Sequence, residues 1–451
     1  MSTYPSKLQL IQVAGSQQNP RPYVLSDRRE EAAETPISHQ IMTWLLLWTM
    51  LCLIARQWVY VSGPARTAIS YQNAYDGGLT RGSRVWLYLQ LFIFFSFVMV
   101  GYRQVLDVVK KNLAIPLMLG LAVVSARWSA STQITLQMCI EAGLCTLFAC
   151  YLSARYTTER LMQLMIFMGV TAGVLDIVFA VMMPAYGIFQ GYGGNAWQGI
   201  CNHKNTLGIS SVFLLSPVFF TESYGRWRKV GYGSLQLLLI FMSQSRGAWG
   251  YTVGMLVFIG WMYLIRRVRG SELTLMIIVT SLALISAAVS AIYFWPQLMM
   301  FLGKDASMTG RTEIYHEVWE SILKRPWFGY GFGGFWFPGS LESQRISVVL
   351  NWPGIGYAEN GVLELALQLG LVGVAIVLFF ITRAFWQGLR LLRSSTYSPR
   401  IGWFLTIIAL TFLCNIDAGW FLSSDTLDWI LIVVACIGLN AETRRLKMIE
   451  V

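Results

Sequence analysis

The chain has 451 residues, of which 55% are hydrophobic and only 13% charged, with a mean hydropathy of +0.53. A soluble protein of this length could not cover so much apolar surface, so the composition excludes one and predicts a polytopic membrane protein. The net charge of +11 does not by itself indicate nucleic-acid binding, because basic residues collect in the cytoplasmic loops of membrane proteins.

Cysteine and histidine usage gives no sign of a disulfide framework or a metal site. Six of the seven cysteines fall inside apolar segments, and only Cys201 falls in a loop. The three histidines, His39, His203 and His316, are far apart in the sequence. No metal-ligand spacing results, and we expect neither a metal nor another cofactor.

The order of polar and apolar segments predicts an all-α membrane helix bundle. Residues 1–40 are polar and hold four prolines, which predicts a disordered cytoplasmic tail. About twelve transmembrane helices follow: nine in residues 41–294 and three in 362–440, separated by one large loop at 295–361, with a second cytoplasmic tail at 441–451. The apolar segments lie at roughly 41–62, 85–101, 113–126, 134–153, 161–183, 206–222, 232–245, 247–265, 273–294, 362–382, 401–422 and 427–440.

The distribution of basic residues predicts the orientation. Of the 34 lysines and arginines, 22 lie in segments on the side of the N-terminus and 11 on the other side. The positive-inside rule therefore places both termini in the cytoplasm and the 295–361 loop outside it. We find no internal repeat of the kind that transporters often have, which argues against a transporter without excluding one.

Two outward segments carry cations beside an apolar helix. Residues 191–208 form a glycine-rich approach to His203, Lys204 and Asn205, which either line a substrate site or cap the helix while Lys204 reaches the lipid headgroups. The turn at 243–247 carries Arg246, whose charge at this depth requires a partner, a wet cavity or a headgroup contact.

Arg311 is a third outward cation, at the start of an amphipathic helix, where Glu313 is an alternative partner for it. Together with Arg246 it suggests an anion site. A guanidinium binds phosphate oxygens through two parallel hydrogen bonds and stays charged, so two arginines suit a diphosphate. They could stabilise a departing diphosphate without a divalent metal.

Two further segments lie in the large loop. Residues 326–334 alternate glycine with aromatic side chains, and Tyr330 among them is expected either to stack on a sugar ring or to join an interfacial aromatic belt. Glu359 and Asn360 stand where the loop becomes helix again. A carboxylate there is either a general base with a raised pKa or an acid favoured by the helix dipole.

In this order and spacing, the motifs resemble the O-antigen ligase and polymerase superfamily of bacterial envelope glycosyltransferases, and within it the exopolysaccharide polymerases of the ExoQ kind. The resemblance covers roughly residues 115–380. It rests on the segments 124–129, 199–208, 243–248, 309–311, 326–331, 358–364 and 370–373.

The resemblance implies a metal-independent, inverting transferase of the GT-C type in the bacterial inner membrane, with its active site facing the periplasm. A glycan on undecaprenyl diphosphate would be both donor and acceptor. Membrane lipids, a chain-length regulator and export machinery are the other expected partners, and nucleic acid is not one. Arg246 and Arg311 would hold the diphosphate, and His203, Lys204 and Asn205 would line the donor side.

One position departs from the family pattern. The family usually has histidine and asparagine where this chain has Glu359 and Asn360, so we expect Glu359 to serve as the base, with His316 as the alternative. Asp417 and Asp425 are further candidates for sugar contacts.

The function that the sequence favours is polymerisation of lipid-linked repeat units. A ligase that transfers the glycan to lipid A core or protein has the same donor motifs and remains an alternative. A lipid-linked oligosaccharide flippase is an alternative of another class, but it needs a cationic cavity between two related halves. An envelope scaffold protein would leave the outward arginines and the loop-edge acid unexplained.

Overall fold

Long apolar runs dominate this chain, and in such runs a helix satisfies the backbone N–H and C=O groups internally. The computed structural model describes residues 37–55, 81–189, 195–268, 270–272, 311–337, 339–352, 355–394, 397–416, 421–422 and 427–449, with a few positions between 275 and 286. The regular elements found in these residues are helices, apart from an isolated β-bridge between Ile188 and Trp197. The predicted all-α class is confirmed.

The α-helices are numbered here in chain order. They are α1 (Ile37–Ala55), α2 (Arg81–Val100), α3 (Tyr102–Lys111), α4 (Ala114–Val124), α5 (Thr132–Arg155), α6 (Thr158–Met182), α7 (Pro184–Gly187), α8 (Lys204–Leu215), α9 (Arg226–Met242), α10 (Arg246–Arg267), α11 (Arg311–Lys324), α12 (Leu341–Val349), α13 (Gly361–Leu392), α14 (Pro399–Cys414) and α15 (Leu427–Ile449). The 3₁₀ turns Ser125–Arg127 and Ser216–Phe219 follow α4 and α8.

Four of the described helices, α5, α6, α10 and α13, are long and apolar enough to cross a membrane. A fifth span is possible if α2 and α3, which meet at an angle of 85°, are counted as one. These helices confirm the membrane character that the composition predicts. The number of twelve spans and the placement of the large loop outside the cytoplasm stay predictions.

The helix boundaries differ from the predicted segments in several places, two of them toward the end of the chain. The segment after residue 382 was expected to leave the membrane as a loop, but α13 continues to Leu392 because Ala384, Gly388 and Leu391 are buried against the bundle. The last helix likewise continues past residue 440 to Ile449. Within the large loop, the described part contains α11 and α12.

Helix α15 lies at the centre of the bundle, and nearly all of its residues from 427 to 440 are buried. Buried polar contacts fix its position along the neighbouring helices. The Trp429 indole N–H donates to the Thr146 hydroxyl at 3.0 Å, and Asn440 donates to the Asn112 side chain at 3.1 Å. A helix that is apolar on all sides and surrounded by others is typical of a membrane bundle core.

The segments with candidate site residues lie at one end of the bundle, which we call the site end. Helix α10 runs antiparallel to α14, since Gly254 meets Leu413 while Arg266 lies 3.4 Å from the ring centre of Tyr397. The start of α13 joins the end of α14 through a 3.0 Å hydrogen bond from the Gly361 N–H to the Asn415 carbonyl. The starts of α10 and α13 therefore point the same way.

The opposite end of the bundle, which we call the far end, carries most of the basic residues in the described loops and helix ends. They include Arg155, Arg160, Arg226, Arg228, Lys229, Arg266, Arg267, Arg390, Arg393, Arg400, Arg444 and Arg445. This separation agrees with the charge distribution from which the orientation was predicted.

Candidate active site

An ion pair joins the start of α11 to the loop that precedes α13. The Arg311 Nη2 atom lies 2.9 Å from the Glu359 Oε2 atom, and the two side chains are 27% and 19% exposed. One helical turn further on, the Tyr315 hydroxyl donates to the Glu359 carbonyl at 3.0 Å. Glu359, and not the neighbouring Glu313, is thus the carboxylate that Arg311 holds.

Glu359 has an unusual backbone conformation and an altered acidity. Its φ of +53° lies in the left-handed region, which costs a residue with a side chain of order 1–3 kcal/mol and is common at functional sites. Burial raises the pKa of the Glu359 carboxyl above its usual value, while the charge of Arg311 and a hydrogen bond from Tyr357 oppose that rise. The result is a carboxylate at the edge of solvent that binds a proton more readily than an ordinary glutamate.

A second carboxylate, that of Glu364, holds the loop around Glu359 in place. Glu364 is buried in the first turn of α13 and accepts hydrogen bonds from the Trp336 indole at 2.9 Å and the Ala358 backbone N–H at 2.8 Å. The Gln368 amide donates to its other oxygen at 2.6 Å. Three N–H donors surround this carboxylate, so it fixes residue 358 directly before Glu359. Sequence analysis did not single it out.

The glycine-aromatic run packs against the inside of α13. The backbone N–H groups of Tyr330 and Gly331 donate to the Leu367 and Gln368 carbonyls at 2.8 and 3.0 Å. This contact is possible because α13 is interrupted at Gly370, whose φ is +66° and where a Cβ would lie 2.2 Å from the Trp327 carbonyl oxygen. The glycine-aromatic run therefore holds the first turns of α13 in place through backbone hydrogen bonds.

Tyr330 is placed differently from the sugar-stacking position that the sequence suggested. Its side chain is buried, its hydroxyl donates to the Ser321 carbonyl at 2.9 Å, and Arg325 and Phe335 lie against its ring. The structure gives Tyr330 a packing role instead, because its ring faces are covered by protein. Trp327 and Phe328, at 64% and 52% exposure, fit the alternative of an interfacial aromatic belt.

Asn360 and His316 also have defined positions. The Asn360 side chain caps α13 by accepting from the Val362 and Leu363 N–H groups, and its amide donates to the Ile416 carbonyl. Its polar groups are thus used within the protein. The His316 side chain is 70% exposed and its nearest acid is Glu317, so the structure does not bring it to the Arg311–Glu359 pair.

A second cationic group lies at the starts of α8 and α10. Lys204 is the first residue of α8, and Arg246, the first residue of α10, has an exposed side chain. Burial and the positive charge of Arg246 lower the pKa of Lys204 below its usual value, so the two charges repel each other. In the described part of the chain, neither forms an ion pair with a carboxylate.

Close packing of α8 on the turn before α10 brings these cations together. At Gly208 an added Cβ would lie only 2.8 Å from both the Ala248 Cβ and the Ser243 hydroxyl oxygen. Ser245 caps α10 through its hydroxyl, and Gln244 has a left-handed φ of +49°. The absence of a side chain at Gly208 therefore allows the turn at 243–247 to approach α8.

His203 serves as the cap of α8. Its Nδ1 atom accepts from the Asn205 backbone N–H at 3.1 Å, while its ring meets Phe189 at a centroid distance of 4.6 Å. Burial, with a smaller contribution from Lys204, lowers the pKa of His203 to about 4. The imidazole is thus neutral at pH 7 and adds no charge to the cation pair. Asn205 is exposed beside it.

A buried acid, also missed by sequence analysis, anchors this loop. Asp176 of α6 accepts a hydrogen bond from the Ile200 N–H at 2.8 Å. The remaining sugar-contact candidates, Asp417 and Asp425, lie outside the described residues. Among the residues described, no three His, Cys, Asp or Glu side chains converge in a way that could hold a metal ion.

Comparison with known proteins bears on the arrangement as a whole. Residues 232–378 match a family described as O-antigen ligase. The chain is also 25% identical over 316 residues to the exopolysaccharide production protein ExoQ of Rhizobium meliloti (strain 1021), covering 67% of this chain and 71% of that protein. The resemblance to the O-antigen ligase and polymerase superfamily is confirmed.

The region that matches this superfamily contains Arg246, Arg311 and the Glu359 loop. Arg246 at the start of α10 and the Arg311–Glu359 ion pair thus both lie within residues 232–378, the segment that matches the O-antigen ligase family. His203 and Lys204 precede that segment. A role in polysaccharide biosynthesis is the function class that these comparisons support.

Proposed function

We propose that this protein is a polysaccharide polymerase that transfers a glycan from undecaprenyl diphosphate to a hydroxyl of another lipid-linked repeat unit. The observation that carries the proposal is the Arg311–Glu359 pair, with its 2.9 Å contact, at the same end of the bundle as Lys204 and Arg246, which have no carboxylate partner among the described residues. A carboxylate can deprotonate the acceptor hydroxyl, and two cations can hold the donor diphosphate. The bacterial inner membrane, with the site end toward the periplasm, is the location proposed with it.

In the proposed reaction the acceptor hydroxyl oxygen attacks the anomeric carbon of the donor sugar. The bond from that carbon to the diphosphate oxygen breaks, and its electron pair leaves with undecaprenyl diphosphate. Glu359 takes the hydroxyl proton. A single in-line displacement inverts the anomeric centre, so an α-linked donor would give a β-linked product.

Lys204 and Arg246 are the groups that we assign to the leaving diphosphate. Two neighbouring cations repel each other, and a bound dianionic group removes that repulsion while accepting their hydrogen bonds. Charge that develops on the leaving oxygen would be stabilised by the same donors. Arg311 has five N–H groups and can contact the diphosphate while it orients Glu359.

Transfer of the finished glycan to another acceptor is the second candidate function, because the matching family is described as O-antigen ligase. The two functions share the donor and differ in the acceptor. A chain-length regulator and export machinery are partners expected only for the polymerase.

The test is complementation of a polymerase-deficient strain with wild type, Glu359→Gln, Glu359→His and Arg311→Ala, with product size read on a gel. We expect wild type to build a ladder or high polymer, Glu359→Gln to abolish it, Arg311→Ala to reduce it to a residual amount, and Glu359→His to restore part of it. Glu313→Gln is the matched control, since that exposed acid lies in the same helical turn as Arg311 and should leave the product unchanged. Single repeat units on another acceptor without a ladder would identify a ligase, and full activity of Glu359→Gln would rule out the mechanism.

A further inference from the structure

An apolar cavity of about 580 Å³ lies at the far end of the bundle, between the end of α8, helix α9 and the middle of α10. Its walls include Leu215 and Val218 on one side and Leu237 and Leu256 on the other. Leu237 and Leu256 are 48% and 45% exposed, so the cavity opens toward the surroundings of the bundle and is not a closed core void. The proposed polymerase mechanism does not use it.

The length of the cavity matches one leaflet of a bilayer. Arg226 at its mouth and Leu237 in its wall are eleven residues apart on α9, which corresponds to about 16 Å along a helix. This is close to half of the roughly 30 Å hydrocarbon core of a membrane. The cavity is therefore about as long as the depth that one acyl chain of a single leaflet spans.

The mouth of the cavity is cationic. It is formed by Arg226, Lys229 and Tyr224 at the start of α9, a helix whose first N–H groups have no side-chain cap. Lys229 donates to the Thr221 carbonyl and keeps two further N–H groups. In the described residues, neither Arg226 nor Lys229 is paired with a carboxylate.

The acid Glu159 holds the loop before α9 and forms no ion pair with Arg226 or Lys229 in the described residues. Its Oε1 atom accepts hydrogen bonds from the Thr221 and Ser223 hydroxyls at 2.5 Å and from the Glu222 and Ser223 N–H groups at 3.2 and 3.1 Å. These contacts fix the loop and with it the cationic mouth.

We propose that this cavity binds an anionic phospholipid, with one acyl chain between α9 and α10 and its phosphate on Arg226 and Lys229. An apolar groove of one-leaflet depth under two cations is complementary to that lipid in both shape and charge. A zwitterionic phospholipid fits the groove but gains less from the mouth. A polyprenyl chain is much longer than the groove, and the cations assigned to its diphosphate lie at the other end of the bundle.

The test is native mass spectrometry of the full chain in detergent with added phosphatidylglycerol, phosphatidylethanolamine or undecaprenyl phosphate. We expect one phosphatidylglycerol to bind with preference. The double variant Arg226→Gln/Lys229→Gln should weaken its Kd about 30-fold, since each cation near an anionic headgroup changes affinity roughly fivefold. The control Arg390→Gln/Arg393→Gln removes two exposed cations from the same end, outside the cavity, and should change Kd less than twofold.

A cavity-filling variant tests the acyl-chain part separately. Gly233 lines the cavity, and an added Cβ would have only Leu215 and Val218 near it, at 3.9 and 4.0 Å, so Gly233→Leu fills the space without a clash. It should abolish the bound lipid with both cations in place. Gly231→Leu, where a Cβ would meet nothing within 4 Å, is the control.

Three outcomes would overturn the proposal: equal binding by wild type and the charge-removed variant, equal loss in the Arg390/Arg393 control, or retention of the lipid by Gly233→Leu. Preference for undecaprenyl phosphate over phosphatidylglycerol would also overturn it, because the occupant would then be a polyprenyl lipid.

Discussion

The two cationic groups at the site end differ in how their charge is balanced. Arg311 is held 2.9 Å from the Glu359 carboxylate, and both side chains are mostly covered. Lys204 and Arg246 are neighbours of the same sign, and no carboxylate pairs with either of them in the described residues. The charge of Arg311 is therefore balanced by a carboxylate, whereas the charges of Lys204 and Arg246 are not balanced by one among the described residues.

This difference separates two tasks. A paired carboxylate at the edge of solvent can exchange a proton while its orientation is held by the guanidinium. Two cations that repel each other are stabilised when an anion joins them. We therefore propose to divide the role that the resemblance implies for Arg246 and Arg311: proton transfer at the Arg311–Glu359 pair, and diphosphate binding mainly at Lys204 and Arg246.

The largest effect is expected when the carboxylate is removed without changing its shape. Glu359→Gln should lower the rate of polymer formation by roughly 10²–10⁴, the usual contribution of a general base. Donor binding should change little, because Lys204 and Arg246 remain. The measurement is product formation by purified protein, compared with lipid-linked donor binding in the same preparation. A comparable loss of donor binding would argue against the division of roles.

Removal of the unpaired cations should act on the donor. Arg246→Gln and Lys204→Gln should each raise KM for the lipid-linked donor about tenfold or more, since a charge-assisted hydrogen bond contributes about 1.5–3 kcal/mol. Arg127→Gln is a suitable control, because Arg127 is an exposed arginine at the same end of the bundle. An unchanged KM in both variants, with only kcat reduced, would contradict their assignment to the diphosphate.

The pH dependence probes the ion pair itself. Burial raises the pKa of Glu359 and Arg311 opposes that rise, so removing the guanidinium should raise the pKa further. A base is lost as pH falls through its pKa. In Arg311→Ala the acidic limb of residual activity should therefore move to higher pH by about one unit or more. Arg311→Lys keeps the charge and should move the limb less.

An identical acidic limb of the pH–activity profile in wild type and Arg311→Ala would contradict the role of Arg311 in setting the pKa of Glu359. The comparison is made on kcat/KM, which reports ionisation in the free enzyme.

The smallest predicted effect is on stability. Glu364→Gln places an amide N–H₂ among the N–H donors of Trp336, Ala358 and Gln368, which leaves a buried group unsatisfied. We expect a loss of about 1–3 kcal/mol in the free energy of unfolding. A lower thermal midpoint in detergent is the readout, with Glu442→Gln as the control on a more exposed acid at 30% exposure. Equal midpoints for the two variants would mean that Glu364 does not hold the loop.

Much of this arrangement could be predicted from local sequence. Apolar runs predict helices, and Arg246, Arg311 and Glu359 are recognisable because charged residues beside apolar segments require a reason. Their pairing is not predictable in the same way, since Arg311 and Glu359 are 48 positions apart and the sequence offers Glu313 much closer. Which acid wins depends on how α11 packs against the loop before α13.

The sequence also does not predict which role a side chain has when several roles are possible for it. Tyr330 could stack on a sugar or fill a core, and the backbone hydrogen bonds from Tyr330 to Leu367 and from Gly331 to Gln368, with the burial of its ring, favour the core. Glu364 reads as an ordinary helix acid because its donors, Trp336 and Ala358, come from other segments. The sequence signal for Glu364 is its position on the face of α13 whose other residues are buried against the bundle, where an acid needs hydrogen-bond donors.

The most direct measurement is turnover by the purified full chain in a lipid nanodisc supplied with glycan repeat units on undecaprenyl diphosphate, with a chelator present. We expect polymers of increasing length by mass spectrometry, one undecaprenyl diphosphate released for each new linkage, and neither product from Glu359→Gln. Polymer formation by Glu359→Gln at the wild-type rate would contradict the proposed mechanism. So would wild-type protein that releases no undecaprenyl diphosphate.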